Sequence, residues 1–158
     1  ASRAEKKVRD RLEELGVECF LPVQTVLRQW TYRKSRVVVP VIAGLVFVRV
    51  SRQEQVKVLQ TKGVVAFLRL KGEAGAAVIP DKQMEDFRFL LDFSEEAVEM
   101  TNEHIKAGDL VRVVKGSLRG MEGELIRHKG VTKVLVRIDM LGCAMVNIPA
   151  SLVEKLNK

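Results

Sequence analysis

AGDLVRVVKGSLRGMEGELIRHKG, residues 107–130, is the stretch that decides the fold of the C-terminal part of this chain. After an opening Gly-Asp pair, Leu110, Val111 and Val113 form a partly alternating apolar pattern, which is typical of a half-buried strand. Glycines then flank a tight, basic turn, and this spacing supplies the positive φ values and close approaches that sharp turns between strands require. The constrained positions are Gly108, Asp109, Gly116, Gly120 and Gly123.

The residues that follow this stretch predict a small β-barrel. Short apolar segments near 110–114, 121–127, 133–138 and 144–148 predict strands, and 151–156 closes the set. Roughly five short strands in about fifty residues favour an SH3-like barrel, because closure leaves no long strand edge unpaired.

The N-terminal part begins with a predicted helix and a predicted hairpin. Residues 2–15 place apolar side chains on one helical stripe and charged side chains elsewhere, as an amphipathic helix does. Two apolar segments, 17–30 and 37–50, flank a basic turn at 32–36 and predict an antiparallel hairpin. We expect a bend at Gly44 in the second strand.

Three more elements complete this part. Residues 51–60 predict a short helix with Val56 and Leu59 facing inward, and residues 64–70 predict another strand. A further helix begins after Pro80, with Asp81 as its expected N-cap. The order predicts an α+β fold in which an N-terminal antiparallel sheet flanked by helices precedes the small barrel.

The charge distribution predicts two domains and a linker. Residues 1–92 carry 17 Lys and Arg against 11 Asp and Glu, and residues 105–158 carry 10 against 5. Residues 93–104 contain four glutamates and no basic residue, which favours an acidic linker. We further expect that the first domain lacks an N-terminal strand, since its first helix has no strand before it to pack against.

The composition argues against several classes of protein. The long apolar run, residues 37–50, is broken by Pro40, Gly44 and Arg49, so no membrane span is expected. Two distant cysteines and two histidines match no metal-ligand spacing, and no secretory leader opens the sequence, which favours a cytoplasmic protein. No phosphate-binding loop, nucleophile elbow or paired-histidine motif occurs. We therefore expect no catalytic residue, no cofactor and no metal.

Several segments carry a resemblance to a known family. Residues 107–130 resemble the KOW motif, and EKKV, CFLPV, VPVIAGLVFVRV, GVVAFLRLKG and IPDKQM are similar in order and spacing to the N-terminal domain of the NusG family. The valine-rich strand is similar to that of the UpxY-like specialised paralogues of Bacteroides-type bacteria. Residues 42–45 read Ile-Ala-Gly-Leu, where housekeeping members have Phe-Pro-Gly-Tyr.

The resemblance implies a transcription elongation and antitermination factor. Such a factor binds the clamp of RNA polymerase and suppresses pausing and termination, here on specific operons of the capsular polysaccharide type. In the family, an apolar depression on the first domain contacts the clamp. By position this implies the candidates Ile42, Leu45, Phe47 and Phe67, for which packing in the core is the alternative.

A basic surface is the second implied site. Cationic side chains alternating with aromatic ones can contact phosphates and stack on unpaired bases, so we expect contact with non-template DNA or nascent RNA. A solvated turn whose charges only aid solubility is the alternative. The candidates are Arg3, Lys6, Lys7, Arg28, Trp30, Tyr32, Arg33, Lys34 and Arg36.

The barrel is the third implied site. In the family it recruits a small-subunit ribosomal protein or a termination factor, and we expect a monomer that uses it in this way. Two other readings stay open. One is a KOW-containing protein that binds the ribosome or its RNA, and the other is a housekeeping NusG that acts at most promoters.

Overall fold

The computed structural model describes residues 2–29, 32–69 and 71–156 of the chain. The chain divides into two compact units, Ala1–Ala77 and Val78–Lys158. Both combine helices with antiparallel strands. The predicted α+β class is confirmed.

The first unit contains two helices and two separate antiparallel ladders. Buried Leu21 and Pro22 interrupt the first predicted strand, and residues 41–46 interrupt the second. As a result Val23–Gln29 pairs with Lys34–Pro40 as a hairpin, and Glu18–Phe20 pairs with Phe47–Arg49. The elements are α1 (Ser2–Glu14), β1 (Glu18–Phe20), β2 (Val23–Gln29), β3 (Lys34–Pro40), β4 (Phe47–Arg49) and α2 (Glu54–Leu59).

The core of the first unit forms where α1 meets α2. Leu12, Val17 and Val58 are buried together, and half-buried apolar side chains pack around them. The predicted inward pair on α2 is wrong, because Val56 is 57% and Leu59 47% exposed. A helix of six residues, less than two turns, presents one narrow face to a core, and Val58 occupies it. Val56 points away, since residues two apart on a helix point to nearly opposite sides.

The strand predicted at 64–70 is also wrong, since residues 64–69 adopt no strand in the structure. Val65 is 96% exposed, whereas Phe67 packs against the Leu12 cluster. A strand is stable only when a neighbour satisfies its backbone groups. In the described part of the chain no strand pairs with residues 64–69, and their side chains do not alternate between apolar and polar.

The second unit is a six-stranded antiparallel sheet with a helix. The elements are α3 (Asp81–Phe93), β5 (Glu99–Thr101), β6 (Asp109–Val113), β7 (Glu122–His128), β8 (Val131–Ile138), β9 (Gly142–Asn147), a 3-10 turn (Ala150–Leu152) and β10 (Val153–Lys155). The strand order is β10-β6-β7-β8-β9-β5, which is consistent with a small barrel. Strands β6 to β10 lie near the five strands predicted from sequence, and β5 is an additional strand.

Helix α3 belongs to the second compact unit, which begins at Val78. The helix buries Phe87 and Leu90 and contacts β8. Gln83 and Asp139 are joined by two hydrogen bonds of 2.7 and 3.0 Å. The predicted acidic linker also contributes β5, which pairs with β9. The charge distribution could not reveal that α3 packs on β8, because this contact depends on apolar side chains. Nor could it reveal β5, because that strand depends on backbone pairing with β9.

The start of α3 corrects a smaller prediction. Asp81 is the first helical residue, and the N-cap is Pro80 with an extended backbone and no side-chain capping bond. Proline restricts its own φ and cannot donate through nitrogen, so it suits the boundary at which a helix begins.

Candidate functional site

The candidate docking residues Ile42 and Leu45 lie on the turn that joins β3 to β4, residues 41–46, which we call the docking turn. Both side chains are half-buried and flank Ala43 and Gly44, which are exposed. Gly44 has a φ of +73°, a left-handed conformation that favours glycine. The predicted bend at Gly44 is therefore confirmed.

A carboxylate on α1 holds the docking turn. The backbone N–H of Gly44 donates to Oε2 of Glu5 at 2.8 Å, and the N–H of Val41 donates to the carbonyl of Pro22 at 2.9 Å. The Gly44 hydrogen bond keeps the pKa of Glu5 below its ordinary value, although burial opposes this. Glu5 is only 7% exposed, and its Oε1 is buried without a hydrogen-bond partner.

Sequence reasoning missed Glu5. One signal was present, since Glu5 lies three and seven residues before Val8 and Leu12 and so shares the inward face of α1. A carboxylate on an apolar helix face requires a buried hydrogen-bond donor, which an amphipathic pattern alone does not identify.

The two phenylalanine candidates are half-buried and contact other apolar side chains of the unit. Phe47 stacks on Phe20 with ring centroids 6.1 Å apart. Phe67 packs against the cluster of Leu12 and Val58.

The basic hairpin is formed by β2 and β3. Leu27 pairs with Arg36, and Gln29 pairs with Lys34. Because paired residues share one face of a sheet, these four side chains lie together, and all four are exposed. Tyr32 and Arg33, at the tip, are exposed as well. The hairpin thus presents a mixed cationic and apolar surface.

The remaining basic candidates are less fully described. Lys7 on α1 is exposed and Lys6 is half-buried. Trp30 lies outside the described residues, and for Arg3 and Arg28 only the backbone is described. The docking turn and the hairpin tip lie at opposite ends of β3, and six residue steps of strand separate them by roughly 20 Å.

The glycines of the motif in the second unit are required for two reasons, a positive φ at some positions and a lack of space for a side chain at others. Gly116 and Gly120 have φ values of +90° and +95° in the turn that follows β6. At Gly108 and Gly123 the constraint is space, because an added Cβ would collide with the carbonyl oxygens of Leu125 and Leu135. Asp109 is exposed and forms an ion pair with Lys155, whose Nζ lies 3.3 Å from Oδ2 of the aspartate.

A charged network holds the start of this motif. The N–H of Gly108 donates to Oε1 of Glu124 at 3.0 Å, and Arg137 donates to both oxygens of the same carboxylate. Burial by itself raises the pKa of Glu124, but the bonds from Arg137 and Gly108 outweigh it and hold the pKa below its ordinary value.

In the described part of the chain, no group of three or more His, Cys, Asp or Glu residues is arranged to hold a metal ion. Cys19 is half-buried and Cys143 buried, both are free thiols, and burial raises the pKa of each. Among the described helices, none has the length and apolar character needed to cross a membrane.

Comparisons with known proteins place the chain in a family. No curated protein matches it. A solved structure described as "Domain interaction in Thermotoga maritima NusG" is 21% identical, covering 99% of this chain and 93% of that chain with a TM-score of 0.46. One described as "Crystal Structure of MjSpt4:Spt5 complex conformation B" is 16% identical, covering 99% and 89% with a TM-score of 0.24. The family model described as transcription termination factor NusG matches residues 1–88, more than half of the sequence. The chain therefore belongs to the NusG family of transcription factors.

Proposed function

We propose that this chain is a transcription elongation and antitermination factor that binds the clamp of RNA polymerase and suppresses pausing and termination. The observation that carries the proposal is the docking turn, where half-buried Ile42 and Leu45 flank an exposed glycine. Apolar side chains presented at the rim of a basic unit suit contact with another protein. Phe47 and Phe67 support this surface from the interior.

The basic hairpin supplies the second contact in this proposal. Lys34 and Arg36 on one exposed face contact phosphates of non-template DNA or nascent RNA, and Tyr32 offers a surface for base stacking. The separation of roughly 20 Å from the docking turn lets one unit reach protein and nucleic acid at the same time. Lys6 and Lys7 extend the positive charge along α1.

The mechanism is binding without catalysis or cofactor. A factor that prefers the closed clamp lowers the population of paused states that need an open clamp. A preference of ~1.4 kcal/mol for the closed form shifts this equilibrium about tenfold. Processive transcription of long operons follows from that shift.

We further propose a specialised paralogue that acts on specific operons of the capsular polysaccharide type. The support is the Ile-Ala-Gly-Leu sequence of the docking turn, which lacks the proline and aromatic residues of the housekeeping pattern. Genome-wide mapping of the bound protein distinguishes the two: enrichment on one or a few operons supports specialisation, and occupancy at most promoters contradicts it.

The second unit has a separate role in this proposal. It acts as a KOW domain that recruits a small-subunit ribosomal protein or a termination factor, and its exposed cations also suit RNA. Those cations are Lys115, Arg119, Arg127 and Lys129. The whole factor is proposed to be a cytoplasmic monomer.

Pull-down of RNA polymerase from a lysate tests the main proposal. Ile42→Asp and Leu45→Asp place a charge on the docking turn and should abolish capture. Val65→Asp is the matched control, because Val65 is an apolar residue of the same unit that is 96% exposed and lies outside the turn. A single-round transcription assay should show shorter pauses and more terminator read-through with the wild-type protein only. Unchanged pausing and read-through would reject the proposal.

A further inference from the structure

Glu5 is a buried carboxylate on α1 that accepts a hydrogen bond from the backbone of the docking turn. Ionised side chains are rarely buried unless they are paired or hydrogen-bonded, because desolvation is costly. Glu5 is 7% exposed, and the N–H of Gly44, 39 residues further along the chain, donates to it at 2.8 Å. The bond from Gly44 offsets part of the desolvation of this carboxylate and ties α1 to the docking turn.

Gly44, near the centre of the docking turn, lies in open space on its side-chain face, whereas Val46 at the end of the turn packs against the Leu12 cluster. An added Cβ at Gly44 would meet no atom within 4 Å, so side-chain packing does not hold this residue. Val41 is tied to Pro22 at one end of the turn, and β4 begins at Phe47 at the other. Between them, the bond to Glu5 is the described contact that fixes the backbone between Ile42 and Leu45.

We propose that Glu5 is a positioning residue for polymerase docking: its carboxylate holds the N–H of Gly44 and thereby sets the arrangement in which Ile42 and Leu45 meet the partner. This inference rests on the proposed function. A surface already held in its bound arrangement avoids an ordering cost on association. Releasing the turn restores that cost and weakens binding, although no residue that contacts the partner has changed.

The first test measures the turn itself in the full chain by amide hydrogen exchange. Glu5→Ala should speed exchange at Gly44 by about tenfold or more, while the amides of the β2–β3 hairpin keep their rates. Glu5→Gln keeps an acceptor oxygen and should fall between Glu5→Ala and wild type. Glu13→Ala is the control, since Glu13 is an exposed glutamate on the same helix whose side chain pairs with Arg9. Unchanged exchange at Gly44 in Glu5→Ala would overturn the inference.

The second test measures affinity for purified RNA polymerase. Glu5→Ala should weaken binding about tenfold, which corresponds to ~1.4 kcal/mol. Glu13→Ala should stay within about twofold of wild type, as expected for an exposed ion pair. Glu5→Gln should recover most of the loss, because it retains an acceptor for the N–H of Gly44.

A double-mutant cycle separates positioning from general loss of stability. The milder substitution Ile42→Ala keeps binding measurable and removes one side chain that Glu5 is proposed to position. If Glu5 acts through the turn, the loss from Glu5→Ala should shrink when Ile42→Ala is already present. Strictly additive losses would contradict the inference. A wild-type chain that fails to bind polymerase would reject the proposed function, whereas wild-type binding with an unaffected Glu5→Ala variant would reject this inference alone.

Discussion

Arg137 donates two hydrogen bonds to the carboxylate of Glu124, from Nε at 2.6 Å and from Nη2 at 3.0 Å. The same Nη2 donates to the carbonyl of Ile105 at 2.8 Å. Glu124 also accepts the N–H of Gly108. A paired arginine and carboxylate on adjacent strands thus hold the segment that leads into β6, which is the start of the glycine-rich motif.

Loss of this carboxylate should weaken the second unit. Glu124→Gln replaces charge-assisted hydrogen bonds with neutral ones and leaves Arg137 poorly paired, so we expect destabilisation of about 1–2 kcal/mol. Glu122→Gln on the same strand is the control, because Glu122 pairs with Arg112 at an exposed site and should cost less than about 0.5 kcal/mol. Urea unfolding, followed by the amide signals of β7 and β8, measures the unfolding free energy of both variants. Equal losses would contradict the conclusion that Glu124 stabilises the unit more than the exposed Glu122 does.

Acidification should remove the contribution of Glu124. The folded state holds its pKa below the ordinary value, so the stabilisation is fully present above the unfolded pKa of roughly 4.3 and is lost as pH falls through the lowered folded pKa. The difference in unfolding free energy between wild type and Glu124→Gln should therefore be constant near neutral pH and shrink in acid. A difference that persists unchanged at the acid end would show that the charge is not responsible.

Close backbone approach should make Gly108 the least tolerant of the motif glycines. An added methyl group would collide with the carbonyl oxygen of Leu125 and lie 2.9 Å from Ile126. We expect Gly108→Ala to destabilise the second unit by about 3 kcal/mol or more, since backbone must move to relieve the clash. Gly75→Ala is the control, because nothing lies within 4 Å of its added Cβ. A folded Gly108→Ala variant with wild-type hydrogen exchange in β6 and β7 would refute this.

Helix α2 offers a matched pair of valines. Val58 is 3% exposed and packs with Leu12 and Val17, whereas Val56 is 57% exposed. Val58→Ala removes buried methyl groups and leaves a cavity, so it should cost about 1.5–2.5 kcal/mol. Val56→Ala should change stability by less than about 0.5 kcal/mol. Urea unfolding monitored on amides of α1 distinguishes them, and a larger cost at Val56 would refute the observed orientation of α2.

The basic hairpin should bind single-stranded nucleic acid in a salt-dependent way. Combined Lys34→Gln and Arg36→Gln removes two exposed charges from one face, which should lower affinity and reduce the salt slope by about 1.4, or ~0.7 per phosphate contact. Arg52→Gln with Lys71→Gln makes the same change in net charge at exposed positions of the same unit outside the hairpin. Titration of a fluorescent oligonucleotide at several salt concentrations measures the affinity and the salt slope of both double variants. Equal slopes for the two would show that net charge alone, and not a site on the hairpin, is responsible for binding.

Much of the architecture follows from local patterns in the sequence. The apolar stripe containing Leu12 predicts α1, the valine-rich segments of β3 and β8 predict strands, and two apolar segments around a polar turn predict the hairpin. These features depend on neighbouring residues only, and they are visible without knowledge of the rest of the chain. The hairpin register differs from the prediction, because residues 34–36 of the predicted turn belong to β3 and Arg36 pairs with Leu27.

Other features depend on contacts between residues that are distant in sequence, and local patterns do not reveal these contacts. Residues 64–69 are apolar enough for a strand but pair with no strand in the described part of the chain, and α2 places Val58 inward in place of Val56. The β5 segment in the acidic stretch becomes a strand because β9 is there to pair with it. In each case the competing choice was decided by a contact distant in sequence.

The sequence by itself determined the α+β class, the basic hairpin and the glycine-rich turns, because periodicity, charge and φ requirements are local properties. Tertiary structure alone decided that Glu5 would meet Gly44 across 39 residues and that α3 would pack on β8. The physical reason is that a buried carboxylate or an apolar face has a free energy set by what surrounds it, and those surroundings exist only after the chain has folded.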